Sequence, residues 1–226
     1  MKLILAGAGG CAIEIEQYLL DCKAAGRGIL DSNSRPADPS EVEFWGVYAR
    51  EDGPLDDFQH PPRRIRRPAI EDPPGAHYLI AIGDPRIRAR IWVELLALGI
   101  RFATLIHPTA QVASSARIGA GTILCPMSHA GPRSTLGQNL LLNAYAGVGH
   151  QSRIGDHCVL SPYSLAAGHA VLGEGCFLGS HVLVAAAKTV GAFGKVAAGS
   201  MVYRDLPPRC LALGNPAKPV RPLGPR

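Results

Sequence analysis

Among the 226 residues, eight histidines are the groups best suited to move a proton or hold a metal, and their spacing bears on which. His157, His169 and His181 recur at intervals of twelve. No two of them show the short spacing of paired imidazole ligands, and the six cysteines contain no Cys-x-x-Cys pair, so no metal is expected. His150 stands in Val148-Gly149-His150-Gln151-Ser152-Arg153-Ile154-Gly155 and, on its own residues, reads as a solvated imidazole. A second constellation opens the chain: Gly7-Ala8-Gly9-Gly10-Cys11-Ala12, a G-x-G-x-x-A turn after an apolar run. Glycines there let backbone N–H groups and a helix N-terminus approach a phosphate, although many βαβ units carry such a turn for packing alone.

The elements that hold these residues follow from one repeat. From Ile106 to Val202 an aliphatic residue falls on every sixth position without a slip, through seventeen hexapeptides. A helix would impose a period of 3.6 and a strand a period of 2; six fits one flat side of a parallel β-helix. Gly follows the aliphatic residue in eight units, and the position four after it is usually small, as at Ser128, Ser134, Ala146, Ser152, Cys158, Ser164 and Cys176. Three such sides close a coil, so the repeat makes nearly six coils, stacked at about 4.8 Å over roughly 25–30 Å. Such a prism winds left-handed, an exception to the usual crossover hand. Twelve residues are two sides of it, which places His157, His169 and His181 on three different faces rather than in a stack. His150, two residues past an inward position, lies near a corner, open to solvent or to a neighbouring subunit.

The first hundred residues follow another grammar. Leu3–Ala6 reads as a buried strand, Ile13 to Cys22 as a helix, and Gly28-Ile29-Leu30-Asp31 as a second strand ending on an acid. A third strand at 77–82 ends in Gly83-Asp84, and Arg86 to Leu98 reads as a helix closed by Gly99. The expected organisation is an α/β Rossmann-like domain over 1–103 and an all-β left-handed parallel β-helix over 104–226. Residues 33–77 are rich in Pro, Asp and Arg and give no clear assignment. Their Arg63, Arg64, Arg66 and Arg67 read as a solvated loop, so no nucleic acid is expected as a partner. A net charge of +5 suits anionic small molecules such as CoA and nucleotide diphosphates. The opening apolar run is too short for a signal peptide or a membrane span, and the cytoplasm is the expected compartment.

The Gly-rich turn, Ala81-Ile82-Gly83-Asp84, Ile106-His107-Pro108-Thr109-Ala110, the hexapeptides and Gly214-Asn215-Pro216-Ala217-Lys218 together resemble the PglD/NeuD-type sugar acyltransferases. The resemblance covers nearly the whole chain except about 33–77. It implies an enzyme that moves an acetyl group from acetyl-CoA, without a metal, to an amino or hydroxyl group of a sugar, usually one carried on a nucleotide. It also implies a homotrimer with CoA held between adjacent prisms. By the resemblance His150 is the base that takes the proton shed by the attacking group. Asn143 is the family's asparagine ahead of it, and Gly168 offers a backbone N–H to the acetyl carbonyl. Gly168, Ser180, Ala198, Asn215 and Lys218 would meet CoA; Gly9, Gly10, Cys11, Asp31, Ser32 and Gly83 would meet the acceptor.

Three positions depart from the family pattern. Gln151 replaces the acid that usually follows the base, Val159 replaces a second histidine, and Cys11-Ala12 replaces His-Gly in the turn. These departures support an alternative reading, a non-catalytic β-helix trimer that binds a nucleotide-sugar or CoA with a decayed active site.

Overall fold

The computed structural model describes residues 1–49, 55, 57–59 and 62–224. The N-terminal unit is a five-stranded sheet, parallel at every pairing, with two helices. Its central strand β1 (Lys2–Ala6) buries Leu3, Ile4, Leu5 and Ala6 completely. Gly7 then turns the chain at φ +123°, and a Cβ there would lie 2.7 Å from the Ala81 carbonyl oxygen, so no other residue fits. Helix α1 (Gly10–Ala25) starts behind it and stops at Gly26, whose left-handed conformation returns its N–H to the last-turn carbonyls.

The expected second strand is where sequence and structure part. Strand β2 (Ile29–Leu30) does not join the N-terminal sheet; it pairs antiparallel with Leu105 and Thr104, at the top of the repeat region. Its place beside β1 is taken by β3 (Glu43–Tyr48), followed at the edge by β4 (Arg63–Ile65). The arginine cluster therefore begins in an edge strand rather than a loop, with Arg63 lying over the Trp45 ring. On the other side run β5 (Ala76–Ile80) and β6 (Arg101–Phe102), connected by α2 (Pro85–Ala97). Asp84 caps α2, accepting from the N–H groups of Arg86 and Ile87, and Pro85 occupies the first turn, where a missing N–H costs nothing.

From Thr104 the chain becomes a parallel β-solenoid of three faces built from seventeen short strands. The first face stacks Thr104–Ile106, Ile123–Leu124, Leu141–Leu142, Val159–Leu160, Phe177–Leu178 and Lys195–Val196. The second runs from Gln111–Val112 to Met201–Val202, the third from Arg117–Ile118 to Thr189–Val190. The six-residue aliphatic column points inward and forms the core, with Ser128, Ser134, Cys158, Ser164 and Cys176 buried beside it. A hairpin, Cys210–Gly214 and Ala217–Pro222, continues the first face below Lys195–Val196.

One residue in six sits at a corner with φ near +60°, from Met127 to Phe193. These residues form three edges. Met127, Tyr145, Tyr163 and His181 line the edge between the first and second faces. Arg133, Gln151, His169 and Ala187 line the next, and Asn139, His157 and Phe193 the third.

The N-terminal unit covers the first face because that face is apolar on its outer side as well. Leu105, Ile123, Leu141 and Val159 point outward there and are buried against Leu3, Leu5 and Leu79. The third edge is clamped by α2. Arg88, fully buried, donates to the carbonyls of Ile80, Ile82, Asn139 and Leu140 and to Asn139 Oδ1 at 2.8 Å. Among the described residues no carboxylate pairs with it; burial pushes the guanidinium down to about 10, still charged at neutral pH, and the carbonyls satisfy its fork. Trp92 fills the hollow left by Gly121 beside it. At the top of the solenoid His107 joins α1 to the first coil through Asp21, at 3.0 Å, and the edge of Tyr18.

Candidate active site

His150 lies at the edge between the second and third faces, exposed, at the exit of strand Gly147–Val148. Its ring stands over Gly168, one coil further on: a Cβ built on Gly168 would lie 2.5 Å from Nε2 and 2.7 Å from Cε1. The ring also meets His169, beside Gly168 in the same coil, in a T-shaped arrangement with centroids 5.1 Å apart. Nδ1 faces Gln151 Oε1 at 3.3 Å, and an amide oxygen only accepts. In the neutral tautomer that makes this contact a hydrogen bond, Nδ1 carries the hydrogen and the lone pair lies on Nε2. Gln151 thus supplies the orienting acceptor that an acid would supply, without its charge. The structure brings His150, Gln151 and Gly168 together in one cluster.

Asn143 is not part of that cluster within one chain. It ends the first-face strand Leu141–Leu142, and its Nδ2 donates to the Leu160 carbonyl at 3.1 Å. Val159, at the place of a second family histidine, is buried on the first face beneath the N-terminal unit. Its identity therefore leaves the immediate surroundings of His150 untouched.

Apart from Gly168, which lies under His150, the residues expected to meet CoA gather on a different edge. Ser180 and Ala198 precede the corner residues His181 and Gly199 in adjacent coils, where the Gly199 N–H donates to the Ser180 carbonyl. The C-terminal hairpin reaches the same place, since the Gly214 N–H donates to Ser200 Oγ at 3.0 Å, and Asn215 and Lys218 follow, both exposed. This is the edge whose upper coils carry an aromatic ladder. Tyr145 stacks on Tyr163 at 4.7 Å and Tyr163 on His181 at 4.9 Å, the ring planes nearly parallel in both cases, with both tyrosines half exposed. Reading the sequence for single residues missed the ladder, but a spacing of eighteen, one full coil, carries it.

The acceptor residues lie in a third place, and not all together. Gly9 and Gly10 are exposed at the N-terminus of α1, where no side chain caps the helix and nothing lies within 4 Å of either added Cβ. Gly83 is exposed at the carboxyl end of β5, beside this turn in the sheet order. Cys11 is turned into the protein near Arg88 and Cys125, and burial pushes its thiol up to about 11. Asp31 is removed from the turn because β2 has left the sheet. It instead accepts from the backbone N–H groups of Arg35 and Asn33, which hold it below the usual carboxylate range, and it faces His77 at the amino end of β5. Ser32 goes with it. The expected pairing of Gly9 and Gly10 with Asp31 is therefore not formed.

The three histidines spaced by twelve occupy three different edges: His157 is buried against Asn139, His169 lies under His150, and His181 lies on Tyr163. Among the described residues no group of three His, Cys, Asp or Glu side chains could hold a metal. No described helix is long and apolar enough to cross a membrane.

No family model and no curated protein matches the chain. Solved structures do. A perosamine N-acetyltransferase from Caulobacter crescentus, with a histidine changed to asparagine and bound to CoA and GDP-perosamine, is 28% identical. The match covers 98% of this chain and 97% of that one, with a TM-score of 0.82. The acetyltransferase domain of PglB from Neisseria gonorrhoeae, in complex with acetyl coenzyme A, is 26% identical over 97% and 98% of the two chains, with a TM-score of 0.79. WeeI from Acinetobacter baumannii, 18% identical over 97% and 100%, with a TM-score of 0.78, shares the fold. The structural neighbours thus include a perosamine N-acetyltransferase and an acetyltransferase domain that binds acetyl coenzyme A, in line with the resemblance to PglD/NeuD-type enzymes.

Proposed function

We propose that this chain is an acetyl-CoA-dependent N-acetyltransferase whose acceptor is an amino sugar carried on a nucleotide. The observation that carries the reading is the cluster on one solenoid edge, His150 beside Gln151 and standing over Gly168, in a chain matched end to end by a perosamine N-acetyltransferase bound to CoA and GDP-perosamine and by an acetyltransferase domain bound to acetyl-CoA. In the proposed reaction the sugar amine attacks the thioester carbonyl while Nε2 of His150 takes one of its protons. The C–S bond then breaks, leaving CoA as a thiolate that is protonated in turn, and the amide remains on the sugar. The Gly168 N–H would stabilise the carbonyl oxygen as it gains charge.

The proposed enzyme is a homotrimer. The base cluster with Gly168 and the other expected CoA residues lie on different edges of one prism, and the glycine turn lies in the N-terminal unit. Apposing the histidine edge of one prism with the aromatic edge of the next brings base and CoA residues into a single cleft and makes the long cofactor a pocket that one flat-sided prism lacks. In this reading the solenoid is left-handed, and the N-terminal unit over 1–103 is a Rossmann-like acceptor domain preceding a donor-binding domain over 104–226. The cytoplasm, with its acetyl-CoA and reduced thiols, is the proposed compartment, in keeping with six free cysteines.

The test is thiol release from acetyl-CoA in the presence of a panel of nucleotide-linked amino sugars, with light scattering on the same sample. Release that requires an amino sugar, from a trimeric species, is expected. Tight acetyl-CoA binding without release for any acceptor would favour the binding protein with a decayed site. A fully active monomer would remove the shared cleft.

A further inference from the structure

An exposed histidine at a solenoid corner is free to sample several side-chain rotamers, and a base that does so is seldom aimed at its substrate. His150 is exposed, and the Gln151 amide oxygen lies 3.3 Å from its Nδ1. That is longer than the roughly 2.9–3.0 Å of an ordinary N–H···O bond, so Gln151 holds the ring weakly. Gly168 beneath the ring supplies room but no side chain. The remaining contact is His169, whose ring meets that of His150 at an interplanar angle of 89° with centroids 5.1 Å apart. A T-shaped pair sets the positive rim of one ring against the negative face of the other, a favoured aromatic geometry at this distance. His169 is itself anchored. It is the corner residue one coil after Gln151, and its N–H donates to the His150 carbonyl at 2.9 Å, which ties the ring to the backbone of the residue it touches. The other positive-φ members of this corner column, Arg133, Gln151 and Ala187, carry no ring.

Resting on the reading of His150 as the base, we propose that His169 is its positioning residue, holding the imidazole by ring contact in the rotamer that stands over Gly168. The role falls to His169 because the other two candidates do not fill it. Gln151 gives direction through one long contact and no charge, and Val159 is buried on another face. His169 acts here through the shape and quadrupole of its ring, and no proton passes through it. A ring pair of this kind biases a rotamer equilibrium by about 2- to 10-fold. The corner geometry accepts the two substitutions that separate ring from nitrogen. Ala187 and Phe193 occupy corners with φ of 58° and 56°, against 61° at His169, so His169→Ala and His169→Phe ask for no backbone conformation that this solenoid does not already give those residue types.

The experiment compares full-length wild type, His169→Ala and His169→Phe by steady-state kinetics and by the imidazole proton spectrum. His169→Ala is expected to lower kcat about 3- to 10-fold with the KM for acetyl-CoA near that of wild type, and His169→Phe to recover most of the loss. Added to His150→Ala, His169→Ala should cost nothing more, since it acts only through that ring. The Cε1–H resonance of His150, assigned by its disappearance in His150→Asn, should be displaced in wild type by the ring current of His169. It should return toward the ordinary imidazole position in His169→Ala and stay displaced in His169→Phe. Wild-type kcat in His169→Ala would overturn the proposal. So would a His169→Phe as slow as His169→Ala, which would make a ring nitrogen the active feature, or a raised KM for acetyl-CoA at unchanged kcat, which would make His169 a cofactor contact. Failure of every acceptor to support turnover in wild type would overturn the reading of His150 as base, and with it the role given to His169. A His150 resonance that does not move in His169→Ala would overturn the ring contact alone.

Discussion

Gly168→Ala tests the candidate site more sharply than removing the histidine does. The methyl group would sit 2.5 Å from His150 Nε2, 2.7 Å from Cε1 and 3.0 Å from Cδ2, so the ring cannot keep its place. Ordinary carbon contacts begin near 3.4 Å, and the imidazole must therefore retreat by about an ångström. The ring is exposed and free to move outward, and Gly168 lies outside the left-handed region, so the solenoid should fold with little loss of stability. Gly149 is a contrasting control, because a Cβ there would meet backbone, the Gly168 nitrogen at 2.5 Å and the Ala167 carbonyl carbon at 2.7 Å. Gly149→Ala should thus destabilise the stack itself.

A general base contributes about 10²- to 10⁴-fold, and an ångström of misplacement can cost about 10²-fold. We expect Gly168→Ala to lower turnover by roughly 10²-fold, about 2.7 kcal/mol of transition-state stabilisation. Its KM for acetyl-CoA and its melting temperature should remain near those of wild type. Because alanine keeps its N–H, loss of an oxyanion donor cannot produce this result. The second readout is the double variant. If Gly168→Ala acts by moving His150, then adding it to His150→Ala should cost almost nothing more, since both remove one function. Wild-type turnover in Gly168→Ala, or fully additive losses in the double variant, would refute the geometry argued for this edge.

Three further outcomes are expected. His150→Ala should lower turnover by about 10²- to 10⁴-fold while acetyl-CoA affinity, measured by titration, is nearly kept; an unchanged rate would end its role as base. Gln151→Glu should move the pH–rate profile upward, because a carboxylate beside Nδ1 favours the protonated ring where the present amide oxygen contributes only direction. A profile that stays in place would mean that the two side chains part during turnover. Stability should fall in mild acid. Burial lowers His157, His129 and His77 from the ordinary 6.5, so the unfolded chain binds protons that the folded chain refuses. Their contribution is complete above about pH 6.5 and is lost as pH falls toward the folded values, so the urea midpoint should drop between pH 7.5 and 5. His157→Gln should flatten that drop, and an equal drop in the variant would exclude His157 as a contributor.

The solenoid was legible because one structural requirement repeats. Every inward position needs an aliphatic side chain, and a single period records it through all the coils. The N-terminal unit has no such redundancy. Its strand at 43–48 is half aromatic, and the edge strand at 63–65 presents arginines, which a sheet edge tolerates and a pattern search discards. Ile29–Leu30 carries a strand composition, yet composition cannot say which edge it will join. The free edge of the first solenoid coil at Thr104–Leu105 took it, by antiparallel pairing. Asp31 was misplaced in consequence, since an acid at the end of a second strand meets the glycine turn only if that strand lies beside the first.

The same geometry explains why single-residue matching singled out His150 and missed the aromatic ladder on the neighbouring edge. A prism converts sequence distance into position through two numbers, six for the next face and eighteen for the next coil. His150 and Gly168 are eighteen apart and touch; Tyr145, Tyr163 and His181 are eighteen apart and stack. His150 and Val159 are nine apart, close in sequence, and are set on different faces, one open and one buried under another unit. A replacement such as Val159 that looks like damage to a catalytic motif need not be damage to this site, whereas a methyl group at Gly168 would be. What determines activity at His150 is therefore its own column and the one beside it, Gly149, Gln151, Gly168 and His169, together with whatever edge a second copy brings against them.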